Sequence, residues 1–251
     1  MIEFQNVTKS YAGNVALDSI SFKVAKGTAC GYIGPNGAGK TTTARIIVGL
    51  EKAESGRVIV VDRDAAKDED SIKSRIGYVP ESPRLYESMT PRETIAMAAM
   101  LRKSESEVAL RRLDLLSEIL YFKDTLHTPL YALSKGTKQK VVISLALLFH
   151  PLVLILDEPT DGLDVQAVAA LKQLIKTFTS SGGTVFYSSH LLDVVEGICS
   201  KVYFINLGKI ADQYEERDFA SKRGFLENAL TEHIGSRNEQ QLIDAFFEHA
   251  D

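Results

Sequence analysis

Eight consecutive residues, Gly34-Pro35-Asn36-Gly37-Ala38-Gly39-Lys40-Thr41, fit the pattern G-x-x-x-x-G-K-[ST]. These types at this spacing can cradle phosphates. Glycines let backbone N–H groups turn inward and approach an anion closely. The run would feed a helix N-terminus, whose partial positive charge favours the same anion. Lys40 would then reach the β- and γ-phosphates of a nucleotide, and the Thr41 hydroxyl would ligate Mg2+. A chance match in a chain of ordinary glycine content comes to roughly one in a hundred. An apolar strand before the run and a helix after it lower that further.

A second cluster lies far along the chain. Leu152-Val153-Leu154-Ile155-Leu156 ends in Asp157-Glu158. A buried strand that delivers two acids at its C-terminal end sets them where α/β sheets bind ligands. Asp157 suits a hold on Mg2+ through water, and Glu158 suits orienting or deprotonating an attacking water. The plain alternative is a strand ending at a solvated acidic turn; beside a phosphate loop, the chemical reading outweighs it.

Both clusters need a scaffold of alternating strands and helices. Ile2, Phe4 and Val7, then Ile20, Phe22 and Val24, approximate the alternation of strands, with a turn expected at Gly13-Asn14. Strands are also expected at 29–33, 57–61, 76–79, 152–156, 184–188 and 202–205, and helices at 41–50 and 165–181. That order implies βαβ units and a mostly parallel sheet covered on both faces. Between Pro80 and His150 the pattern turns helical. Thr90-Pro91-Arg92-Glu93 is a capping box with proline at the first helical position. Ser104-Glu105-Ser106-Glu107 repeats the device ahead of Leu110, Leu113, Leu116 and Leu120, and a third helix is expected from Lys135 to His150. A last capping box, Ser236-Arg237-Asn238-Glu239, precedes Leu242, Ile243, Phe246 and Phe247. That reads as a tail helix packed on its own domain.

Composition narrows the function classes. The 251 residues are 45% hydrophobic and 25% charged, ordinary values for a globular chain. A net charge of −4 argues against a general nucleic-acid binder. Two distant cysteines, Cys30 and Cys199, fit a reducing compartment rather than a disulfide framework. The N-terminal Met1-Ile2-Glu3-Phe4-Gln5 has no basic leader or apolar core, so no secretion signal is expected. The apolar stretch Val141 to Leu156 is broken by His150 and Pro151 and is shorter than the ~20 residues of a spanning helix. A soluble chain is expected.

With these residues in view, positions 1 to 213 resemble the ATP-binding-cassette ATPases. The decisive piece is Leu133-Ser134-Lys135-Gly136-Thr137-Lys138-Gln139, about twenty residues before the acidic pair, which is similar to the family's LSGGQ signature. Ser134 would cap the following helix, whose free N–H groups would contact a γ-phosphate. Lys135 stands where the signature has its first glycine and Thr137 where it has glutamine, while Ser134 and Gly136 are intact. Glu81 stands where the family usually has a glutamine that contacts Mg2+ and the nucleophilic water. Both substitutions resemble the bacterial branch of antibiotic, bacteriocin and drug exporters with separate membrane subunits.

The resemblance implies an α/β fold: a P-loop NTPase core with a mostly parallel sheet, an antiparallel β subdomain and an inserted α-helical subdomain. Core and antiparallel subdomain would span 1–81 and 150–213, the helical signature subdomain 82–149, and a C-terminal tail 214–251. It implies ATP and Mg2+ as cofactors. ATP contacts would come from Tyr11, Gly34, Asn36, Gly37, Gly39, Lys40, Thr41, Thr42, Ser134, Gly136 and Asp164. Thr41, Asp157 and Glu81 would serve the metal, and Glu158 and His190 the hydrolysis. Each bland alternative is definite: Tyr11 as packing, Asp164 as a helix cap, His190 as a solvated turn residue. Their order along the chain favours the functional reading. His127, His150, His233 and His249 match nothing.

The resemblance also implies a second ATPase subunit, identical or different, that supplies the other half of each site. An integral membrane transporter subunit would hold the pair on the cytoplasmic face of the cell membrane, with no role for nucleic acid. Relatives that organise chromosomes carry a long coiled coil between the Glu81 and Ser134 positions, where only about fifty residues without sustained heptads lie here. Translation-associated relatives carry two cassettes, whereas this chain has one phosphate loop. A soluble assembly ATPase is set apart only by the exporter-like substitutions, and a non-enzymatic nucleotide sensor is disfavoured by intact Lys40, Asp157, Glu158 and His190.

Overall fold

A computed structural model describes residues 1–220 and 224–234. The expected tail helix after Ser236 lies outside them.

The chain opens with a long hairpin. Strand β1 (Ile2–Tyr11) pairs antiparallel with β2 (Asn14–Val24), Ile2 opposite Val24 and Tyr11 opposite Asn14. The turn is Ala12-Gly13, not Gly13-Asn14. Both turn residues have positive φ, 47° and 86°, the backbone that matches the twist of a tight hairpin. Asn14 is already in the strand. β4 (Ser55–Val60) lies on the other side of β1, and the short β5 (Arg63–Asp64) completes a four-stranded antiparallel sheet ordered β2-β1-β4-β5.

The second sheet has six strands in the order β10-β9-β3-β8-β7-β6. β3 (Ala29–Ile33), β6 (Ile76–Val79), β7 (Val153–Asp157), β8 (Thr184–Ser189) and β9 (Lys201–Asn206) run parallel, and β10 (Lys209–Glu215) returns antiparallel at the edge. Every residue of β3, β7 and β8 is buried, as two covered faces require. Alternation along β7 divides the core. Val153 and Ile155 join one apolar cluster with Phe4, Phe22 and Ile47, while Leu154 and Leu156 join another with Leu113, Val141 and Leu171.

Helix α1 (Lys40–Ile47) follows β3 directly, and α2 (Glu69–Lys73) precedes β6. The stretch between β6 and β7 is helical: α3 (Pro91–Leu101), α4 (Ser106–Ile119) and α5 (Lys135–Leu148), with two single 3-10 turns before α5. Thr90 and Glu93 form the expected capping box on α3. The box expected at Ser104–Glu107 does not form. Glu105 sits at the cap of α4 and its side chain makes no capping bond, because Ser106 is already inside the helix. α6 (Val165–Ser180) follows β7, α7 (Leu192–Ile198) follows β8, and α8 (Glu216–Phe219) and α9 (Phe225–Ile234) close the described chain. Among the described residues no helix is long and apolar enough to cross a membrane.

Candidate functional site

The phosphate loop is the turn from β3 into α1. Its last glycine, Gly39, takes φ +112°, and a Cβ there would lie 2.7 Å from the Ala16 carbonyl of β2. Only glycine fits both conditions. No side chain caps α1, so its N-terminal N–H groups are left to the cleft. The Lys40 side chain is buried, and its ammonium donates to the Gly34 carbonyl at 2.8 Å and to Pro35 at 3.2 Å. Thr41 donates from its hydroxyl to Glu81 Oε2 at 3.3 Å, so residues forty positions apart meet at the loop. Thr43, two residues on, sets its hydroxyl 3.2 Å from the Tyr32 hydroxyl of β3 as a donor.

β7 ends at Asp157, and the strand pairing sets its Cα opposite Ser188. Asp157 is fully buried. Ser188 Oγ donates to its Oδ1 at 2.5 Å, while Oδ2 has no hydrogen-bond partner. Burial raises its carboxyl above the usual value. Neighbouring Glu81 and Glu158 push the same way, and the Ser188 and Thr41 hydroxyls oppose it. A buried carboxylate oxygen left unpaired is costly unless something positive meets it. With the Thr41 hydroxyl and Glu81 it forms an all-oxygen set, which is what a hard cation such as Mg2+ takes. Among the described residues no group of three or more His, Cys, Asp or Glu could hold a metal by itself. Mg2+ sites at phosphates seldom need one, since water and the phosphates complete the shell.

Glu158 adopts φ +47°, uncommon for a residue with a side chain and a form of strain that gathers at functional sites. Its backbone N–H donates to the Ser188 carbonyl at 3.0 Å. Its carboxylate is 2.9 Å from His190 Nδ1, accepts from Ser189 Oγ at 3.3 Å, and lies 3.8 Å from the Lys40 ammonium. The glutamate is buried and the histidine is exposed. A cleft of about 210 Å3 is lined by Asn36, Gly37, Gly39, Lys40, Thr41, Thr42, Glu81 and Glu158, with Ala16 as an extra wall.

Tyr11, Gly34, Ser134, Gly136, Asp157, Asp164 and His190 lie outside that lining. Tyr11 stands at the hairpin end of β1, 39% exposed, with the Lys9 ammonium 5.1 Å from its ring centre. Ser134 caps α5 by accepting from the Thr137 N–H at 3.1 Å, and it is exposed. Asp164 caps α6 by accepting from Ala167 at 2.8 Å and pairs with the buried Lys140 ammonium at 2.6 Å. Gly136 is locked beside the turn before α6, since a Cβ would fall 2.2 Å from the Gly162 carbonyl. Lys135 ties the same two segments together through Asp161 at 2.5 Å. Ser188, Ser189 and Lys140 escape sequence reasoning. Ser188-Ser189 directly precedes His190 at a strand end, and that adjacency was the available signal.

Residues 17–161, more than half of the chain, match the family described as ABC transporter. The uncharacterized ABC transporter ATP-binding protein YhcH of Bacillus subtilis is 34% identical, over 87% of this chain and 71% of its own length. The lantibiotic transport ATP-binding protein SrtF of Streptococcus pyogenes is 35% identical over 84% and 89%. The bacitracin transport ATP-binding protein BcrA of Bacillus licheniformis is 32% identical over 85% and 69%. A solved ATP-binding subunit of an ABC transporter superposes with TM-score 0.85 at 29% identity, covering 94% of this chain and 100% of that one. A dimeric structure of MJ0796, a bacterial ABC transporter cassette, superposes with TM-score 0.79 at 25% identity, covering 87% and 100%.

Proposed function

This chain belongs to the ABC transporter family as an ATP-binding ATPase subunit, and on that premise we propose that it powers export through a separate membrane subunit by ATP-driven closure of a dimer. One observation supports the dimer above all. Lys40, Thr41, Glu81 and Glu158 share a single cleft, whereas Ser134 and Gly136 stand outside it on the signature helix. A complete phosphate shell would then need the signature end of a second subunit, a copy of this chain or a different cassette.

In this reading Lys40 exchanges its two carbonyl partners for the β- and γ-phosphates, and the α1 N-terminus holds the same anion. Asn36, Gly37, Gly39 and Thr42 line the phosphates, and Tyr11 supports the base. We assign Thr41, Asp157 and Glu81 to Mg2+, which when bound neutralises charge on the β- and γ-phosphates. Glu158 accepts the proton of the attacking water, and His190, bonded to the Glu158 carboxylate, orients it and meets the γ-phosphate. Ser134 and Gly136 of the second subunit close the other side, with Asp164 linking one site to the next. The helical segment 82–149 turns against the core 1–81 and 150–213 as the sites close, and a cytoplasmic helix of the membrane subunit docks at their junction near Glu81 to Glu87.

Export is favoured over import by Glu81 and Lys135 and by relatives named for lantibiotic and bacitracin transport. The chain would work on the cytoplasmic face of the membrane. Glu158→Gln tests the scheme: ATP and Mg2+ should shift this variant from monomer to dimer in light-scattering chromatography, with little hydrolysis. A variant that stays monomeric at saturating ATP overturns the shared-site reading.

A further inference from the structure

The Glu158 carboxylate is held unevenly. Among the described residues its hydrogen bonds all fall on Oε2: the His190 ring Nδ1 at 2.9 Å, the Ser189 hydroxyl at 3.3 Å and the His190 backbone N–H at 3.4 Å. Oε1 has only the Lys40 ammonium, at 3.8 Å, beyond hydrogen-bond reach. Both Lys40 and Glu158 line the cleft to which the phosphates are assigned. One oxygen is thus anchored to the end of β8, and the other is left to the cleft. The backbone adds to the anchor, because the Glu158 N–H donates to the Ser188 carbonyl at 3.0 Å. Three consecutive residues, 188 to 190, therefore fix both the main chain and the side chain of Glu158.

The two side-chain anchors differ. The His190 ring is 63% exposed. Ser189 is fully buried, and its place in β8 opposite Ile33 of β3 holds its backbone. Its Oγ accepts from the Leu191 N–H at 3.0 Å, a turn contact that orients the hydroxyl but uses only a lone pair. The hydroxyl hydrogen is left for an acceptor, and Glu158 Oε2 is the one supplied. A serine that merely closed the turn after β8 would account for the accepted bond and not for the donated one. A donor to a charged group is worth more than one to a neutral group, and most where water is excluded.

We propose that Ser189 is a positioning residue for hydrolysis: its buried hydroxyl pins Glu158 Oε2 so that Oε1 is presented to the attacking water. The inference rests on the reading of Glu158 as proton acceptor and adds which oxygen accepts and what holds it there. In that step the water gives a proton to Oε1 as its oxygen bonds to the γ-phosphorus. The bond from that phosphorus to the β–γ bridging oxygen breaks, and its electron pair leaves on ADP. Ser189 neither gains nor loses a proton. Without the hydroxyl the carboxylate gains freedom to turn, and a small misplacement of a reacting group is costly in rate. ATP binding, which draws on Lys40 and the loop N–H groups, does not use this bond.

Ser189→Ala should lower kcat about tenfold, within the usual worth of a hydrogen bond to a charged group. KM for ATP and the ATP-dependent shift from monomer to dimer should stay parental. Ser189→Thr keeps the hydroxyl and should restore most of the rate. A packing role alone predicts the reverse, since alanine fits a fully buried serine site more easily than threonine does. A parental rate in Ser189→Ala, or a matching loss of ATP affinity and dimerisation, overturns the inference. So does a Ser189→Thr chain that melts as the parent does yet turns over as slowly as Ser189→Ala. Where threonine lowers the melting temperature, the Glu158→Gln background decides. Adding Ser189→Ala there should leave the single-turnover rate unchanged, because the carboxylate is already gone, and a further tenfold loss overturns the positioning role. Glu158→Gln alone separates the inference from its premise. If that variant hydrolyses ATP as the parent does, the reading of Glu158 falls and the inference with it. If it is slow while Ser189→Ala is not, only the inference falls.

Discussion

The cleft at Lys40 and the signature end at Ser134 both hold polar groups near helix N-termini, yet they are built in opposite ways. The cleft draws on β3, α1, β7 and β8; Lys40 and Glu158 are buried in its wall, and Asp157, next to Glu158 in the chain, is buried as well. The signature end belongs to one helix start, with Ser134 and Lys135 exposed. Burial lets a few dipoles and charges act strongly, because the local dielectric is low. Exposure leaves Ser134 weak until another surface covers it. On the proposed shared-site scheme, the difference teaches that the chemistry would be prepared on one side and completed by contact with the other.

The largest effect should come from the buried side. Glu158→Gln should slow phosphate release by about 10² to 10⁴-fold, the usual worth of a general base, while fluorescent-nucleotide titration finds ATP affinity little changed. Near-normal turnover would remove Glu158 from that role. Next comes the exposed side. Ser134→Glu should abolish ATP-dependent dimerisation and hydrolysis while the monomer still binds ATP, since the added carboxylate would meet phosphate. A parallel loss of monomer binding would mean that the two regions are not separate halves.

A smaller effect concerns Asp157. Asp157→Asn removes a buried, half-unpaired charge and should raise the melting temperature of the nucleotide-free chain by a few degrees, about 1 kcal/mol. The same variant should lose most of the extra stabilisation that Mg2+ adds to ATP. If Mg2+ protects it as well as the parent in thermal melts, the metal assignment is wrong.

The smallest prediction sits where the regions join. The Lys140 ammonium and the Ala167 N–H beside Asp164 hold its carboxyl below the usual range. Its charge therefore stabilises the fold above the ordinary carboxylate pKa, and that contribution fades as pH falls through the lowered one. Asp164→Asn keeps a capping side chain and loses the ion pair, so it should cost about 0.5–1 kcal/mol near pH 7. The gap between the two proteins should close in acid, as followed by denaturant melts. A gap that stays constant with pH would make Asp164 a cap and nothing more.

Much of the prepared side was legible in the sequence because it depends on residue type at fixed spacing. The glycines before Lys40 and the apolar run into Asp157-Glu158 announce a loop and a buried strand end before any tertiary contact is known. The Thr90 capping box was legible for the same reason, its bonds being local. The similar box at Ser104 failed because two serines and two glutamates allow more than one helix start, and the helix begins at Ser106 with Glu105 at its cap. The short α2 and α7 and the edge strand β10 were not foreseen. β10 takes its place from pairing with β9 rather than from a strong apolar pattern of its own. Nothing local ties Lys140 to Asp164, or Ser188 to Asp157. Those contacts exist because the sheet order brings distant segments together.

The close approach of Gly136 to the Gly162 carbonyl has a consequence for how this machine can vary. Position 136 accepts no side chain without moving the turn that leads to Asp164, so it is shut to gradual change. Its neighbours are held differently: Lys135 is exposed and pairs with Asp161, and Thr137 meets Ser134 hydroxyl to hydroxyl, so both act through side-chain bonds rather than through close backbone approach. Variation in this stretch is thereby left to the positions on either side of a fixed backbone contact, and those are the positions where this chain departs from the signature it resembles.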